Sequence, residues 1–272
     1  FQKLDKSKLT NLSNMDPAIS KRLEIYDPGN QYAINYMWGT TGIGINVDMV
    51  KERLGSDAEL DSWKLIFDPE TAAKLADCGI FMLDAPTETV PAALNYQGID
   101  PNSKDAESIE KAKAGLLAVR PSIRKFHSSE YINSLANGDI CMAMGWSGDM
   151  LQARDRAAEA DAGVTIDYII PKEGALMWFD NMAIPVDAPH VEEAHEFLNY
   201  MMRPEVMAKA SNYVYYANGN AASKAYLDEE VSGDPAIYPS EDTISRLYTY
   251  VPDDSRQKRT LNRAWTEVKT GQ

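Results

Sequence analysis

The chain has 272 residues, a length that suits one large domain or two smaller lobes. Hydrophobic residues make up 44% of it and charged residues 25%, which excludes extensive disorder, and no apolar run approaches the ~18–20 residues that cross a bilayer. The net charge of −14 argues against nucleic acid as a partner, because phosphates bind basic surfaces, whereas it is compatible with a cationic ligand.

Helical and strand patterns alternate along the chain. Helices are predicted over residues 69–78, 87–96, 105–120, 131–136, 147–162, 191–202 and 255–269, and another begins at Pro204. Short apolar runs predict buried strands over residues 79–83, 140–145, 165–170 and 177–184. Such alternation is typical of an α/β protein, so we expect a largely parallel sheet with helices on both faces.

The spacing of apolar residues predicts the buried face of three of these helices. The residues that share such a face are Ile109, Ala112, Leu116 and Val119 in the third helix, Ala194, Phe197, Leu198 and Met201 in the sixth, and Leu261, Ala264, Trp265 and Val268 in the last. Ser128 or Ser129 is expected to cap the helix over 131–136, because serine readily accepts a hydrogen bond from the first turn.

The motifs of common enzymes fail in this sequence. The run from Gly145 to Asp149 resembles a nucleophile elbow, but that pattern needs glycine where Asp149 stands. Gly42-Ile43-Gly44 lacks the third glycine of a dinucleotide-binding fingerprint. His190 and His195 are five positions apart and point in different directions on a helix, so they cannot share a metal ion. We therefore expect no catalytic residue, no metal and no cofactor.

Two features leave alternatives open. The two cysteines, Cys78 and Cys141, are too few for a disulfide-rich miniprotein, and both buried thiols and a single disulfide fit them. The chain begins at Phe1 without an initiator methionine or a signal peptide, which fits a mature secreted protein and also a fragment.

Carboxylates and aromatic side chains follow the predicted strands, where ligands of open α/β sheets bind. The candidates are Glu88, Trp146, Asp149, Trp178 and Asp180, together with Tyr216 after a helix. Glu88 and Asp149 can also serve only the positive end of a helix dipole, and the tryptophans can be ordinary core. Asp180 is harder to explain in this way, because a carboxylate within an apolar strand is costly to bury without a cation or hydrogen-bond donors.

Taken together, the three carboxylates and the aromatic residues fit a long organic cation. Carboxylates bind ammonium groups through charge-assisted hydrogen bonds, and aromatic faces desolvate a polymethylene chain and attract cations. A diamine needs carboxylates at both ends of a slot and aromatic side chains along it. The sequence therefore predicts a binding site for a diamine, provided that the carboxylates converge.

Several long runs of the sequence resemble one protein family. These are YMWGTTGIGINVDMV, LDAPTETVPAALNY, FHSSEYINSLANGDICMAMGWSGDMLQA, IPKEGALMWFDNMAIP, YYANGNAA and RAWTEVKTG. They are similar to the periplasmic polyamine-binding proteins, which are the putrescine and spermidine receptors of bacterial ABC importers. The resemblance extends from Phe1 to Gly271, and the putrescine-preferring branch is the most similar.

The resemblance implies an α/β fold of the type II periplasmic-binding-protein class, a two-lobed clamshell that closes on its ligand by a hinge motion. It implies a first lobe formed by residues 1–39 and 167–207 and a second lobe formed by residues 40–166 and 208–272. Family members begin with a signal peptide and a further mature segment, so the resemblance implies a fragment whose first lobe is incomplete. We then expect the full-length protein to bind diamines and this chain alone to bind weakly or not at all.

The resemblance also assigns roles to single residues. Glu88, Asp149 and Asp180 match the acids that hold ammonium groups, with Asp180 in the first lobe and the other two in the second. Trp146 and Tyr216 match aromatic or hydroxyl contacts, and Trp178 stands where an aromatic residue is usual. Trp38 lies in a matching run but receives no definite role. Because both cysteines match family positions, the resemblance favours a disulfide between them.

The function that follows is that of a periplasmic receptor, not an enzyme, which binds a polyamine and delivers it to an ABC permease. We expect a monomer with no nucleic-acid partner and no cofactor. Two alternatives remain open. The same fold binds other ligands in other proteins, such as a sugar, a peptide, a metal chelate or another cation. A hydrolase that uses two of the carboxylates as acid and base is the other alternative.

Overall fold

The computed structural model describes residues 1–161 and 163–272. Its strands are β1 (Ala33–Asn46), β2 (Ile80–Met82), β3 (Ile123–Phe126), β4 (Met142–Trp146), β5 (Ile166–Ile169), β6 (Leu176–Ala183) and β7 (Ala217–Asn218). Its α-helices are α1 (Pro17–Leu23), α2 (Val47–Leu54), α3 (Lys64–Phe67), α4 (Pro69–Leu75), α5 (Pro86–Tyr96), α6 (Ala106–Val119), α7 (Tyr131–Ala136), α8 (Ser147–Glu159), α9 (Val191–Met201), α10 (Pro204–Val214), α11 (Glu229–Ser232), α12 (Glu241–Arg246) and α13 (Ser255–Thr270). Short 3-10 helices cover Lys6–Lys8, Thr10–Asn14, Arg120–Ser122 and Ala221–Tyr226. The α/β class is confirmed.

The described residues divide into two compact units. The first unit consists of Phe1–Gly39 and Trp178–Pro239, and the second of Thr40–Met177 and Ser240–Gln272. These boundaries differ from the predicted lobes at two places. Residues 208–239 belong to the first unit, and residues 167–177 belong to the second. The incomplete first lobe stays a prediction.

Strand pairing explains both differences. β7 pairs with Met37 and Trp38 of β1, which holds the segment after α10 within the first unit. β5 pairs with residues 43–46 of β1, which holds residues 166–169 within the second unit. Neither contact was predictable, because the apolar pattern did not indicate β1 as a strand.

The sheet of the second unit is mixed. Its strand order is β3-β2-β4-β1-β5, in which β2 runs parallel to β3 and β4. β1 runs antiparallel to β4 and to β5. The expectation of a largely parallel sheet is therefore wrong, because it rested on short strands joined by helical crossovers and omitted the 14-residue strand β1.

The first unit has its own hydrophobic core. β6 and β7 both pair with β1. Buried apolar residues pack together from the beginning of the chain, from β1, from the end of β6 and from α9, and these are Leu4, Leu9, Ile34, Ile184, Leu198 and Met202. Phe197 does not face this core as predicted, since it is 57% exposed. His195 is buried instead, and both its ring nitrogens bond to backbone groups, Nδ1 to Val191 O at 2.8 Å and Nε2 to the N–H of Asp5 at 3.0 Å.

The other predicted helix faces are confirmed. α6 buries Ile109, Ala112, Leu116 and Val119, and α13 buries Leu261, Ala264, Trp265 and Val268. The predicted serine cap of α7 is wrong. Glu130 precedes that helix without a side-chain cap, and His127 Nδ1 accepts hydrogen bonds from the N–H groups of Ser129 and Glu130. Ala162, the predicted last residue of α8, lies outside the described residues.

A disulfide joins Cys78 to Cys141 in the second unit, as the family resemblance implied. Cys78 follows α4, and Cys141 directly precedes β4. The bridge therefore ties the end of a helix to the start of the strand that ends in Trp146.

Across the two described segments, no helix combines the length and the apolar character that crossing a membrane requires.

Candidate functional site

Glu88 lies in the first turn of α5, directly after the buried strand β2. Its carboxylate accepts hydrogen bonds from the indole Nε1 of Trp146, at 3.1 Å to Oε1 and 2.9 Å to Oε2. The hydroxyl of Thr41 donates a further hydrogen bond to Oε2. The carboxylate is therefore held by two side chains from the sheet.

The register of the sheet brings these two donors together. Thr41 on β1 is paired with Trp146 on β4, so the two side chains are nearest neighbours across the strands. Thr41 is buried and Trp146 is half-buried. Burial raises the pKa of Glu88, while the hydrogen bonds from Thr41 and Trp146 act to lower it. The site therefore holds a carboxylate in partly apolar surroundings. A nearby cation would stabilise the ionised form of such a carboxylate.

Asp149 lies in the first turn of α8, directly after β4. The hydroxyl of Tyr131, a fully buried residue of α7, donates a hydrogen bond to its Oδ2 at 2.7 Å. Because β2 and β4 are neighbouring parallel strands, α5 and α8 begin at the same edge of the sheet. The structure thus places Glu88, Trp146 and Asp149 at the carboxyl ends of adjacent strands, as the sequence predicted.

Trp178 and Tyr216 are in contact within the first unit. Their ring centroids are 5.1 Å apart and the ring planes are inclined by 72°. Trp178 is half-buried, and its indole nitrogen is buried without a hydrogen-bond partner among the described residues. The two residues form an edge-to-face aromatic pair, and their contact with a ligand stays a prediction.

Asp180, on the same strand as Trp178, is exposed, so the burial expected of a carboxylate within an apolar strand is wrong. Its backbone oxygen accepts a hydrogen bond from the side-chain amide of Asn35 at 3.0 Å. Partial desolvation still raises the pKa of Asp180. Its charge also acts on Tyr36, whose pKa is raised by burial and then by Asp180.

Sequence reasoning missed Thr41 and Tyr131. Thr41 lies on β1, the strand that the apolar pattern did not predict. Tyr131 is a core residue, and its hydroxyl donates a hydrogen bond to Asp149. Trp38 is 4% exposed and donates from Nε1 to Asn218 O at 3.1 Å, which makes it a core residue of the first unit.

Among the described residues, no group of three or more histidine, cysteine or acidic side chains could hold a metal ion.

Comparison with known families excludes one of the two alternatives. A family model described as bacterial extracellular solute-binding protein matches residues 1–239. The chain belongs to this family. Solute-binding proteins are transport receptors and not enzymes, so the hydrolase alternative is excluded.

Individual members of the solute-binding family match the whole chain. It is 51% identical over 272 residues to the putrescine-binding periplasmic protein PotF of Escherichia coli, covering 100% of this chain and 74% of that protein. It is 48% identical over 271 residues to the putrescine-binding periplasmic protein SpuD of Pseudomonas aeruginosa, with the same coverage. These matches confirm the resemblance to the periplasmic polyamine-binding proteins.

A solved structure confirms the fold. The spermidine/putrescine ABC transporter substrate-binding protein PotD of Streptococcus pneumoniae, crystallised with calcium and HEPES, matches with a TM-score of 0.84 and 27% identity. The match covers 99% of this chain and 78% of that one. This chain therefore has the type II periplasmic-binding-protein fold.

Proposed function

We propose that this solute-binding protein is a polyamine receptor that prefers a putrescine-like diamine. The observation that carries the proposal is that two relatives named for putrescine binding match the chain along its whole length, at 51% and 48% identity. Each unit, taken by itself, holds side chains of the chemistry that such a ligand needs.

In the second unit, we assign amine binding to Glu88, Trp146 and Asp149. Glu88 and Asp149 supply the negative charge that an ammonium group requires, and charge-assisted hydrogen bonds make such contacts strong. The indole of Trp146 orients Glu88 through its N–H and leaves a flat face for a methylene chain or for cation–π attraction. Burial of Glu88 strengthens the attraction, because low polarity screens charges less than water does.

In the first unit, we assign amine binding to Trp178, Asp180 and Tyr216. The two rings form an edge-to-face pair that can desolvate a hydrocarbon chain. Asp180 supplies a carboxylate, and since it is exposed, its contribution to affinity is smaller than that of Glu88.

We further propose that the protein acts in the periplasm, as a monomer, and delivers its ligand to the membrane subunits of an ABC permease. The support is that the relatives are named as periplasmic proteins and that PotD is named as part of an ABC transporter. Analytical ultracentrifugation of the full-length protein tests the monomer, and a second, concentration-dependent species would refute it.

Isothermal titration calorimetry of the full-length protein with putrescine, cadaverine, agmatine and spermidine tests the ligand class. Binding of at least one amine is expected, and silence towards all four would end the proposal in favour of a sugar, a peptide, a metal chelate or another cation. Asp180→Asn should weaken the binding of putrescine by about 1 kcal/mol, because an exposed carboxylate attracts its partner partly through water. Unchanged affinity would remove Asp180 from the site.

A further inference from the structure

Three arginines of α13, Arg256, Arg259 and Arg263, are exposed on the second unit. Among the described residues, their guanidinium groups form neither a hydrogen bond nor an ion pair. Arg53 of the same unit is different, since it donates to the carboxylate of Asp77 from Nε at 2.8 Å and from Nη2 at 2.9 Å. In a chain with a net charge of −14, three arginines without an ion pair need an explanation.

These arginines share one face of α13 and line a groove there. Residues three, four and seven positions apart lie on the same side of a helix, so the three side chains form an arginine row. The groove has a volume of about 320 Å³, and Glu110 of α6 and Glu267 of α13 also line it. Both acids are already bound, since Lys113 Nζ lies 2.7 Å from Glu110 Oε2 and 2.8 Å from Glu267 Oε2. The groove therefore keeps a surplus of positive charge.

Asp254, the other acid near the arginine row, serves as the cap of α13. Its Oδ1 accepts hydrogen bonds from the backbone N–H groups of Arg256 and Gln257, at 2.7 Å and 2.8 Å. The hydrogen bond from Gln257 is the main cause of the lowered pKa of Asp254, and the charges of Arg256 and Arg259 contribute less. The carboxylate thus satisfies the end of the helix and forms no ion pair with either guanidinium group.

The stability of α13 does not account for the arginine row. The N-terminus is the positive end of the helix dipole, where acidic side chains are favourable, yet the first turn contains Arg256 and no acidic residue. Like charges three or four positions apart also repel each other, and Arg259 has such a neighbour on both sides. Departures of this kind from the rules of helix stability are expected where the side chains serve a function.

We propose that the groove binds an acidic segment of a protein partner, whose carboxylates pair with Arg256, Arg259 and Arg263. The guanidinium group is a planar fork of donors that binds a carboxylate through two parallel hydrogen bonds. At 1.5 Å per helical residue, the arginine row extends over about 10 Å, which an extended segment covers with about three to four residues. The site lies outside the amine-binding residues and does not depend on which ligand the receptor binds.

The shape and the charge of the surroundings favour a short protein segment over other anions. Guanidinium groups spread over this length suit several carboxylates and not one small anion. A groove admits a protruding chain segment, whereas a membrane surface is flat. The net charge of −14 repels an extended polyanion as a whole, but salt screens charges beyond ~8 Å, so a short segment responds mainly to the arginines beside it.

Binding of a hexaglutamate peptide to the full-length protein, measured by fluorescence polarisation, tests this proposal. The wild type should bind the peptide, and the triple variant Arg256→Gln, Arg259→Gln and Arg263→Gln should bind it about tenfold more weakly, because each exposed pair contributes little alone. Added salt should weaken the binding of the wild type more than that of the variant. The melting temperature of the variant should equal or exceed that of the wild type, since repulsion within α13 is removed.

The matched control changes three exposed lysines on other helices of the same unit, Lys51→Gln, Lys64→Gln and Lys74→Gln. It changes the net charge of the protein by the same amount but leaves the arginine row intact. This variant should bind the peptide as the wild type does. An equal loss of affinity in both triple variants would show only general attraction by charge and would overturn the proposal.

The remaining outcomes separate this site from the amine site. Wild-type affinity for the peptide in the arginine variant overturns the proposal, as does a joint loss of affinity and melting temperature, which would show a structural role. Vesicles of phosphatidylglycerol that bind the wild type, when hexaglutamate does not, would overturn it in favour of a membrane surface. The arginine variant should still bind putrescine in calorimetry. A wild type that binds hexaglutamate but no amine would overturn the proposed function alone.

Discussion

Thr41 and Trp146 face each other across the strands β1 and β4, and both donate hydrogen bonds to Glu88. The orientation of the carboxylate therefore depends on the register of one antiparallel strand pair. A slip of one residue in this pairing would turn one of the two donors to the opposite face of the sheet and separate it from the other. The candidate site is in this sense a product of the sheet, and not of a flexible loop.

Trp146→Phe should weaken the binding of putrescine by about 1–2 kcal/mol. The change keeps an aromatic ring but removes the N–H that holds the Glu88 carboxylate, and hydrogen bonds to charged groups are the stronger ones. Calorimetry measures the effect. The matched control is Trp265→Phe, since Trp265 Nε1 donates to the carboxylate of Asp84 at 2.8 Å in the same unit. This control should lower stability without changing affinity, and an equal loss of affinity in both variants would contradict the role of Trp146.

The affinity for a diamine should rise with pH through the raised pKa of Glu88, above the ordinary value of 4.5. An ammonium group binds the carboxylate, so binding in this range displaces the proton that burial favours. The ammonium groups of the ligand do not titrate here, because their pKa lies near that of lysine, about 10.4. Titration in two buffers with different enthalpies of ionisation counts the released protons.

The stability of the ligand-free protein should change in the opposite direction over the same range. Since the folded pKa of Glu88 lies above the unfolded one, the folded state binds more protons, and the free energy of unfolding falls as pH rises. Glu88→Gln should remove most of this slope and most of the proton release, and the remainder of both is expected from Asp180, whose pKa is also raised. Proton release that persists in full in Glu88→Gln would contradict the account.

Loss of the disulfide should destabilise the second unit. Cys78 and Cys141 are separated by 63 residues, and the chain-entropy model gives about 4 kcal/mol for a loop of that size. The double substitution Cys78→Ser and Cys141→Ser should lower the free energy of unfolding by this amount in urea titrations. The reduced wild type provides the control, and a variant as stable as the oxidised wild type would show that the bridge contributes nothing.

Lys104 is part of a buried ion pair in the second unit. Its Nζ lies 3.0 Å from Asp253 Oδ1 and 3.7 Å from the ring centroid of Tyr250, and the Asp253 side chain is 2% exposed. Lys104→Met should cost about 3 kcal/mol of stability, because it leaves a buried carboxylate without its cation. The control is Lys111→Met, whose ion pair with Glu107 is exposed and should cost less than about 0.5 kcal/mol. Equal losses in urea titrations would contradict this difference.

The helices were predictable because their signals are local. The apolar faces of α6 and α13 follow the helical period, and acidic caps precede both, Asp105 for α6 and Asp254 for α13. In α9, the spacing of apolar residues did not predict the buried face correctly. Its apolar residue Phe197 is exposed, whereas the polar His195 is buried because both ring nitrogens bond to backbone groups, and spacing alone does not reveal such bonds.

β1 was not predictable from the pattern of its residues. Buried residues fill both of its faces, so apolar and polar positions do not alternate. Two glycines within it are required by packing, because a Cβ on Gly42 would lie 2.6 Å from the hydroxyl of Tyr168 and one on Gly44 would lie 2.2 Å from the sulfur of Met150. From the sequence alone, these glycines resemble only an incomplete dinucleotide-binding motif.

The candidate site was predictable in part. Glu88, Trp146 and Asp149 lie at the carboxyl ends of β2 and β4, and the rule for strand ends predicts candidate ligand contacts at these positions. Thr41 was not predictable, because its role depends on pairing with Trp146 across more than a hundred residues of sequence. The burial expected of Asp180 was wrong, since an apolar neighbourhood in sequence does not place a strand residue on the inner face.

The affinity of Glu88→Gln for putrescine tests the central claim most directly. The amide keeps the size of the side chain and removes its charge, so the variant should lose at least about 2 kcal/mol of binding free energy, about a thirtyfold loss of affinity. Glu107→Gln, an exposed acid on α6, is the control and should bind as the wild type does. A Glu88→Gln variant with the affinity of the wild type would contradict the claim that this carboxylate holds an ammonium group.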